Sequence, residues 1–320
     1  MNKKILVCDN YTQESTSHIV ASLDCEVNRS SSRIPMVAEV ENCHALLIRS
    51  RTIINRSLLE RAPQLELIIT ATSGFDHIDL KACTEKNITV MYTPEANKEA
   101  AAQMTIMHML NWSRHAFMAH KAVVSHMWKE ELPIGSEISE KHIGILGFGR
   151  VGKRVAELCK TFGATVSAHD PYVSIDEFKK YDVQPLGFSE LLRDSDILTL
   201  HTPLTSKTKG IMNKKTFDIM NENALLINVA RGQLIIEQDL FEALQSKKLA
   251  GAALDVFEKE PLPRDSQLRT LDNILLSPHI GAYTREAITK ASMQAAQKTI
   301  AYFKYNEITD PLPPQADWVE

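Results

Sequence analysis

The sequence lacks most of what would mark an extracellular, metal-held or membrane-spanning chain. Its five cysteines, Cys8, Cys25, Cys43, Cys83 and Cys159, are odd in number and scattered, without a C-x-x-C pair or metal-ligand spacing. Neither a disulfide framework nor a metal site is expected, and a reducing compartment fits. No apolar run approaches the ~20 residues that a membrane span needs. The start, M-N-K-K-I-L-V-C-D, is basic, but Asp9 cuts its apolar run too short for a signal peptide. A soluble, cytoplasmic protein is the expectation. There is no basic excess either: 36 Lys and Arg stand against 40 Asp and Glu, a formal net charge of -4. With no global positive field, nucleic acid is not expected as a main partner, and nor is a membrane. Internal repeats and low-complexity segments are absent as well.

What is present is length and alternation. At 320 residues with 44% hydrophobic composition, the chain can bury two cores. Short apolar runs at Lys4–Cys8, Ala45–Ile48, Leu67–Thr70 and Ile88–Met91 alternate with helical segments near Thr12–Ser22, from Ser57 and from Leu80. The alternation restarts at Ile143–Leu146 and continues through Thr165–Ala168, Ile197–Leu200, Ala224–Val229, Ala250–Leu254 and Ile274–Leu276. Strands alternating with helices imply parallel sheets with crossover helices. Between the two series, Glu99–Lys121 has no Gly or Pro and reads as one long helix. A last helical stretch, Thr284–Tyr305, precedes a Pro-rich tail, Asp310–Gln315. The expected fold is therefore α/β with two doubly wound parallel-sheet domains. Residues 1–97 with 285–320 are expected to form a flavodoxin-like substrate domain, into which a Rossmann domain at 98–284 is inserted. A cleft between them is expected to hold the substrate.

The organising stretch is K-H-I-G-I-L-G-F-G-R-V-G, Lys141–Gly152. A buried-strand run leads into Gly147, Gly149 and Gly152 at G-x-G-x-x-G spacing, and an amphipathic segment, Val151–Phe162, follows. Gly147 permits the tight turn, Gly149 lets backbone approach a pyrophosphate, and Gly152 lets the helix pack on the strand. The unpaired N–H groups of the helix start then face the phosphates. Asp170 closes the next strand, near the ~20-residue interval at which a carboxylate accepts from ribose hydroxyls. The same carboxylate repels a 2'-phosphate, and the neighbouring His169 and Pro171 supply no arginine, so NAD is expected over NADP.

Downstream, polar residues punctuate the strand ends: Arg231 in N-V-A-R-G, Asp255 and Glu260 in D-V-F-E-K-E-P-L, and His279 in S-P-H-I-G-A-Y-T. Singly, each reads as an ordinary surface charge or a structural histidine. The ordered set G-F-G-R-V-G, H-D-P-Y, H-T-P-L-T, N-V-A-R-G, D-V-F-E-K-E-P-L and S-P-H-I-G resembles the D-isomer-specific 2-hydroxyacid dehydrogenase family over nearly the whole chain. That resemblance implies that Arg231, Glu260 and His279 are catalytic. It implies that Arg150 and Val151 lie along the pyrophosphate, Thr202 on the cofactor wall and Asp255 near the nicotinamide amide, with Val229, Ala230, Gly281 and Ala282 lining the same pocket. It also implies a carboxylate-binding loop at Ser73 and Gly74, an interdomain crossing at Asn97, and a homodimer joined through the cofactor domain. The chemistry agrees: histidine can give or take the hydroxyl proton near neutral pH. A glutamate on the far ring nitrogen favours the imidazolium, and the planar fork of arginine can hold a substrate carboxylate. Gln103, Glu140 and Ile236 depart from the family's usual Glu, Gly and Asp.

The loop I-R-S-R-T, with Arg49 and Arg51 after the strand Ala45–Ile48, resembles the substrate loop of D-3-phosphoglycerate dehydrogenases. Ser50, Thr72 and Tyr283 match substrate-contacting positions of erythronate-4-phosphate dehydrogenases. Both comparisons imply a small, anionic, phosphorylated hydroxy acid; an unphosphorylated one, as in glyoxylate and hydroxypyruvate reductases, is the main alternative. A non-enzymatic NADH-sensing corepressor is the alternative of another class. The chain stops soon after its last helix, so no regulatory C-terminal domain, serine feedback or extra dimerisation domain is expected.

Overall fold

The computed structural model describes residues 2–31 and 35–314. The chain divides into two compact units, Met1–Lys98 with Ala282–Glu320, and Glu99–Gly281. Gln315, where the tail was expected to end, lies outside the described residues, as do positions 1, 32–34 and 316–320 of the expected first domain.

The first unit holds β1 (Lys3–Val7), β2 (Cys25–Arg29), β3 (Ala45–Ile48), β4 (Leu67–Thr70) and β5 (Thr89–Tyr92). They are parallel, in the order β2-β1-β3-β4-β5, the flavodoxin-like order. The central strands A-L-L-I and L-I-I-T are buried throughout, because helices cover both faces and no position alternates to solvent. One face packs Leu6, Leu46, Ile48, Ile68 and Val90 with Leu58 and Leu59 of the helix Arg56–Glu60. The other packs Ile5, Val7, Leu47, Leu67 and Ile69 with Ala291, Ala295 and Ala296 of the final helix, Arg285–Tyr305. Alanines there let the helix lie close to the sheet. The tail does more than trail off: Tyr92 N–H donates to Asp310 O and Leu312 N–H to Val90 O, so residues 310–312 cover the otherwise open edge of β5.

The second unit holds β6 (His142–Leu146), β7 (Thr165–His169), β8 (Gln184–Pro185), β9 (Ile197–Leu200), β10 (Leu225–Asn228), β11 (Gly251–Leu254) and β12 (Ile274–Leu276). The order is β12-β11-β10-β9-β6-β7-β8, the doubly wound dinucleotide-binding order with one added edge strand. Its direction reverses between β6 and β9, and at such a switch point the carboxyl ends of adjacent strands leave a crevice for a ligand.

Three local departures from the sequence expectations have physical causes. The expected single helix Glu99–Lys121 is two helices, Lys98–Ser113 and Ala116–Val124. His115 takes a left-handed conformation, φ 50°, and Ser113 O accepts from Ser136 N–H at 2.8 Å. A tertiary hydrogen bond thus captures a carbonyl at the point where the helix breaks. β2 and β8 were not anticipated, because C-E-V-N-R and Q-P are largely half-exposed or exposed edge segments whose pairing, not whose hydrophobicity, makes them strands. No helix of the described residues is long and apolar enough to cross a membrane.

Candidate active site

In the second unit the candidate cofactor residues gather at the carboxyl ends of β6, β7, β9, β10 and β11. After β6, Gly147 has φ 95°, which a side chain resists; a Cβ there would also meet His201 C and Thr202 N at 2.6 Å. A Cβ on Gly152 would meet Gly147 O at 2.1 Å, so the helix Arg150–Thr161 lies directly on the turn. Gly149 is different: a Cβ there would meet nothing within 4 Å. Two glycines are thus required by the protein's own packing, while the third opens on space at a helix N-terminus, where anions are favoured. Arg150 begins that helix, with Val151 half-buried behind it.

Asp170, just past β7, accepts from Phe148 N–H at 2.9 Å through Oδ2 and from Tyr172 N–H at 3.0 Å through Oδ1. Each oxygen keeps a further lone pair for a hydroxyl donor, and the carboxylate is fixed beside the glycine loop. Thr202 is half-buried beyond β9. The adjacent His201 bonds Thr199 Oγ1 at 2.9 Å, and burial lowers its pKa to about 3, so it is a neutral structural group.

The three candidate catalytic residues come from three strand ends and one neighbourhood. His279 Nδ1 and Glu260 Oε2 are 2.6 Å apart, and Glu260 Oε1 accepts from Phe257 N–H at 3.1 Å. Burial alone would raise the Glu260 carboxyl. The hydrogen bond and charge of His279, the Phe257 amide and the Arg231 charge outweigh it and hold the carboxyl below the usual glutamate value. The pair therefore withstands acid further than it would with an ordinary glutamate. Arg231 Nη1 donates to Ala230 O at 2.7 Å, and its charge acts on the Glu260 carboxyl.

Asp255 is 0% exposed and heavily engaged. Oδ1 accepts from Ser277 Oγ at 2.6 Å and Ile280 N–H at 3.0 Å, and Oδ2 from Gly281 N–H at 2.6 Å. With His279 N–H donating to Asp255 O at 2.8 Å, the loop after β12 is tied to the end of β11 and holds His279 at φ 54°. A left-handed histidine is costly alone and persists because these bonds over-determine it.

Sequence reasoning passed over two residues inside the N-V-A-R-G motif. Asn228 is wholly buried; its Nδ2 donates to Arg231 O at 2.8 Å and its Oδ1 accepts from Ala230 N–H at 3.0 Å, closing the turn through half-buried Val229 and Ala230. Gly232 allows a close approach: a Cβ would lie 1.9 Å from Phe257 C and 2.5 Å from Glu258 N. A buried asparagine at a strand end was the available signal for the first. Nothing local in the sequence signals the second, whose neighbour is a different loop.

In the first unit the candidate substrate residues lie past β3, β4 and β5. Arg49 N–H donates to Asp9 Oδ2 at 2.6 Å, and its Nη1 is buried without a hydrogen-bond partner. Burial lowers its pKa from the usual arginine value, against Tyr11 and Asp9. Ser50 and Arg51 are exposed. Thr72 Oγ1 bonds Thr70 Oγ1 at 2.6 Å and Gly74 O at 2.7 Å, and Ser73 Oγ donates to Pro94 O at 3.1 Å, which shapes the Ser73–Gly74 loop. Asn97 Oδ1 is buried and unpartnered. A buried guanidinium nitrogen without an acceptor is expensive, and an anion at this edge would complete it. Ala282, half-buried, and Tyr283, 67% exposed, open the segment that leads into the final helix.

Comparison with known proteins gives concordant results. Residues 106–281 match the model of the D-isomer specific 2-hydroxyacid dehydrogenase NAD binding domain. The D-3-phosphoglycerate dehydrogenase of Archaeoglobus fulgidus is 35% identical over 93% of this chain and 56% of its own length. This chain thus spans little more than half of the curated relatives it matches. Among solved structures, a glyoxylate reductase from Paecilomyes thermophila superposes with TM-score 0.89 at 25% identity, covering 98% of both chains. A D-lactate dehydrogenase from Aquifex aeolicus, complexed with NAD and lactic acid, superposes with TM-score 0.84 at 27% identity, covering 94% of this chain and 96% of its own.

Proposed function

Because the chain belongs to the D-isomer-specific 2-hydroxyacid dehydrogenase family, we propose that it interconverts a D-2-hydroxy acid and the matching 2-keto acid with NAD(H), and that its substrate is phosphorylated, with 3-phosphoglycerate and 3-phosphohydroxypyruvate as the best fit. The observation that carries the reading is the His279–Glu260 pair at 2.6 Å with the Arg231 charge beside it. In reduction, His279 gives its proton to the developing alkoxide; in oxidation it takes the hydroxyl proton. Glu260 stabilises the imidazolium and fixes which ring nitrogen faces substrate. Arg231 holds the 2-keto acid carboxylate and polarises its carbonyl. The open face of Gly149 and the helix N-terminus at Arg150 fit a pyrophosphate, and Asp170 fits the ribose hydroxyls. Bound NAD(H) supplies the hydride chemistry. The fit predicts NAD over NADP, with Asp170→Ala narrowing the preference; equal kcat/KM for both cofactors in the native enzyme would reject it.

Arg49 and Arg51 are proposed to bind the terminal phosphate. A charge-assisted hydrogen bond contributes ~1.5 to 3 kcal/mol, so Arg51→Ala should cost about tenfold to a hundredfold in kcat/KM on phosphohydroxypyruvate. It should barely touch glyoxylate, which has no distal group, whereas Arg231→Ala harms every 2-keto acid. A panel of 2-hydroxy and 2-keto acids, with and without terminal phosphate, tests the reading directly. Turnover of glyoxylate or hydroxypyruvate alone would favour the second reading, an unphosphorylated substrate, which the likeness to a glyoxylate reductase supports.

The chain is further proposed to act in the cytoplasm as a homodimer joined through its second unit. Phe117, Val123, Val124, Trp128 and Ile134, the last 98% exposed, are large apolar side chains left at the surface of one segment of this unit, of the kind a second copy covers. Light scattering should return twice the 35.9 kDa of the chain; a monomer mass rejects the proposal.

A further inference from the structure

We propose that Glu237 is a positioning residue for the acid–base pair: its carboxylate fixes the loop that carries Glu260, and its charge helps to keep the proton on His279. The inference rests on the acid–base reading of Glu260 and His279 above. Glu237 opens the helix Glu237–Gln245, and its Oε1 accepts from Glu258 N–H at 2.7 Å. From the other side, Gln233 Nε2 donates to Glu258 O at 3.2 Å. The Glu258 residue is thus held at both its amide and its carbonyl by side chains of one segment, 233–237, which directly follows Gly232, the glycine that abuts Phe257. Two residues further on, Glu260 meets His279.

The charges around this clamp point the same way. Burial first, and then repulsion from Glu258 and Glu260, push the Glu237 carboxyl above its usual value, while the Glu258 amide pulls it back. Repulsion is mutual, so an ionised Glu237 makes an uncompensated Glu260 costlier. What offsets it on the far side of Glu260 is positive charge: Arg231, and the imidazolium of His279. Removing the Glu237 charge therefore makes the imidazolium easier to deprotonate. For reduction, which needs the proton on His279, the alkaline limb should move to lower pH.

Two variants separate the roles. Glu237→Gln keeps an oxygen for the Glu258 amide but loses the charge; Glu237→Asp keeps the charge but is one methylene too short for the amide. The full chain, labelled at histidine and backbone nitrogen, is followed by NMR. Glu237→Gln should lower the midpoint of the His279 titration by about half a pH unit, a roughly threefold loss of proton affinity, less than Glu260→Gln does. Glu237→Asp should leave that midpoint near the native one and speed hydrogen exchange at the Glu258 amide. An unmoved midpoint in Glu237→Gln overturns the charge role, and unchanged exchange in Glu237→Asp overturns the positioning role. Neither readout needs turnover. If no 2-keto acid is reduced, the proposed function fails while the test of Glu237 still reads out.

Discussion

His279→Ala is expected to lower kcat/KM for 2-keto acid reduction by at least the ~10²-fold typical of losing a general acid, with NADH affinity largely kept. On the proposed reading the side chain supplies the proton, whereas the glycine loop at Gly147–Gly152 proposed to hold the cofactor lies at another strand end, so binding and chemistry should separate. Loss of NADH binding in parallel with activity would mean that the substitution collapses the loop after β12, and the acid role would fall. The pH profile carries a second check. Glu260 is held below the usual glutamate value, so its contribution is present above that value and is lost only as pH falls through the depressed one. The pair should thus still be intact where an ordinary glutamate would be half protonated. At the other end, reduction needs His279 protonated, and Glu260→Gln removes the carboxylate that favours the imidazolium. The alkaline limb should move to lower pH; an unchanged profile removes Glu260 from the mechanism.

Gly232→Ala should be damaging although it adds a single methyl. The new Cβ would stand 1.9 Å from Phe257 C and 2.0 Å from Phe257 O, and these are backbone atoms that cannot rotate away. Either the turn after β10 or the one after β11 must shift. Overpacking of this kind costs ~1 to 3 kcal/mol and occasionally more. Because the two turns carry Arg231 and Glu260, a shift of about 1 Å between them should cost on the order of 10²-fold in turnover. Thermal unfolding and kcat/KM measured together decide the matter. A variant with native activity and native melting temperature would show that the loops do not need this approach.

Much of the local geometry of the candidate site was legible in the chain itself, for a physical reason. Where one local conformation needs one residue type, the sequence carries the imprint: Gly147 because φ is 95°, Asp170 because it closes the strand next to the glycine loop, and the apolar runs because strands buried on both faces admit no polar position. The series of strand and helix followed from that hydrophobicity, and both sheet orders agree with it. The edge strands β2 and β8, and the break in the helix expected at Glu99–Lys121, were not legible, since each depends on a partner far away in sequence.

The sequence by itself determined the α/β alternation, the dinucleotide motif and the identities of the groups that could do acid–base chemistry, because these follow from residue type and near neighbours. Only the tertiary structure decided that Asp255 spends its carboxylate on the His279 loop, that Gly232 brings the turns of Arg231 and Glu260 into contact, and that Arg49 Nη1 and Asn97 Oδ1 are buried without partners. Those arrangements join atoms from separate strand ends, and distance between strand ends is set by packing, which no local pattern encodes.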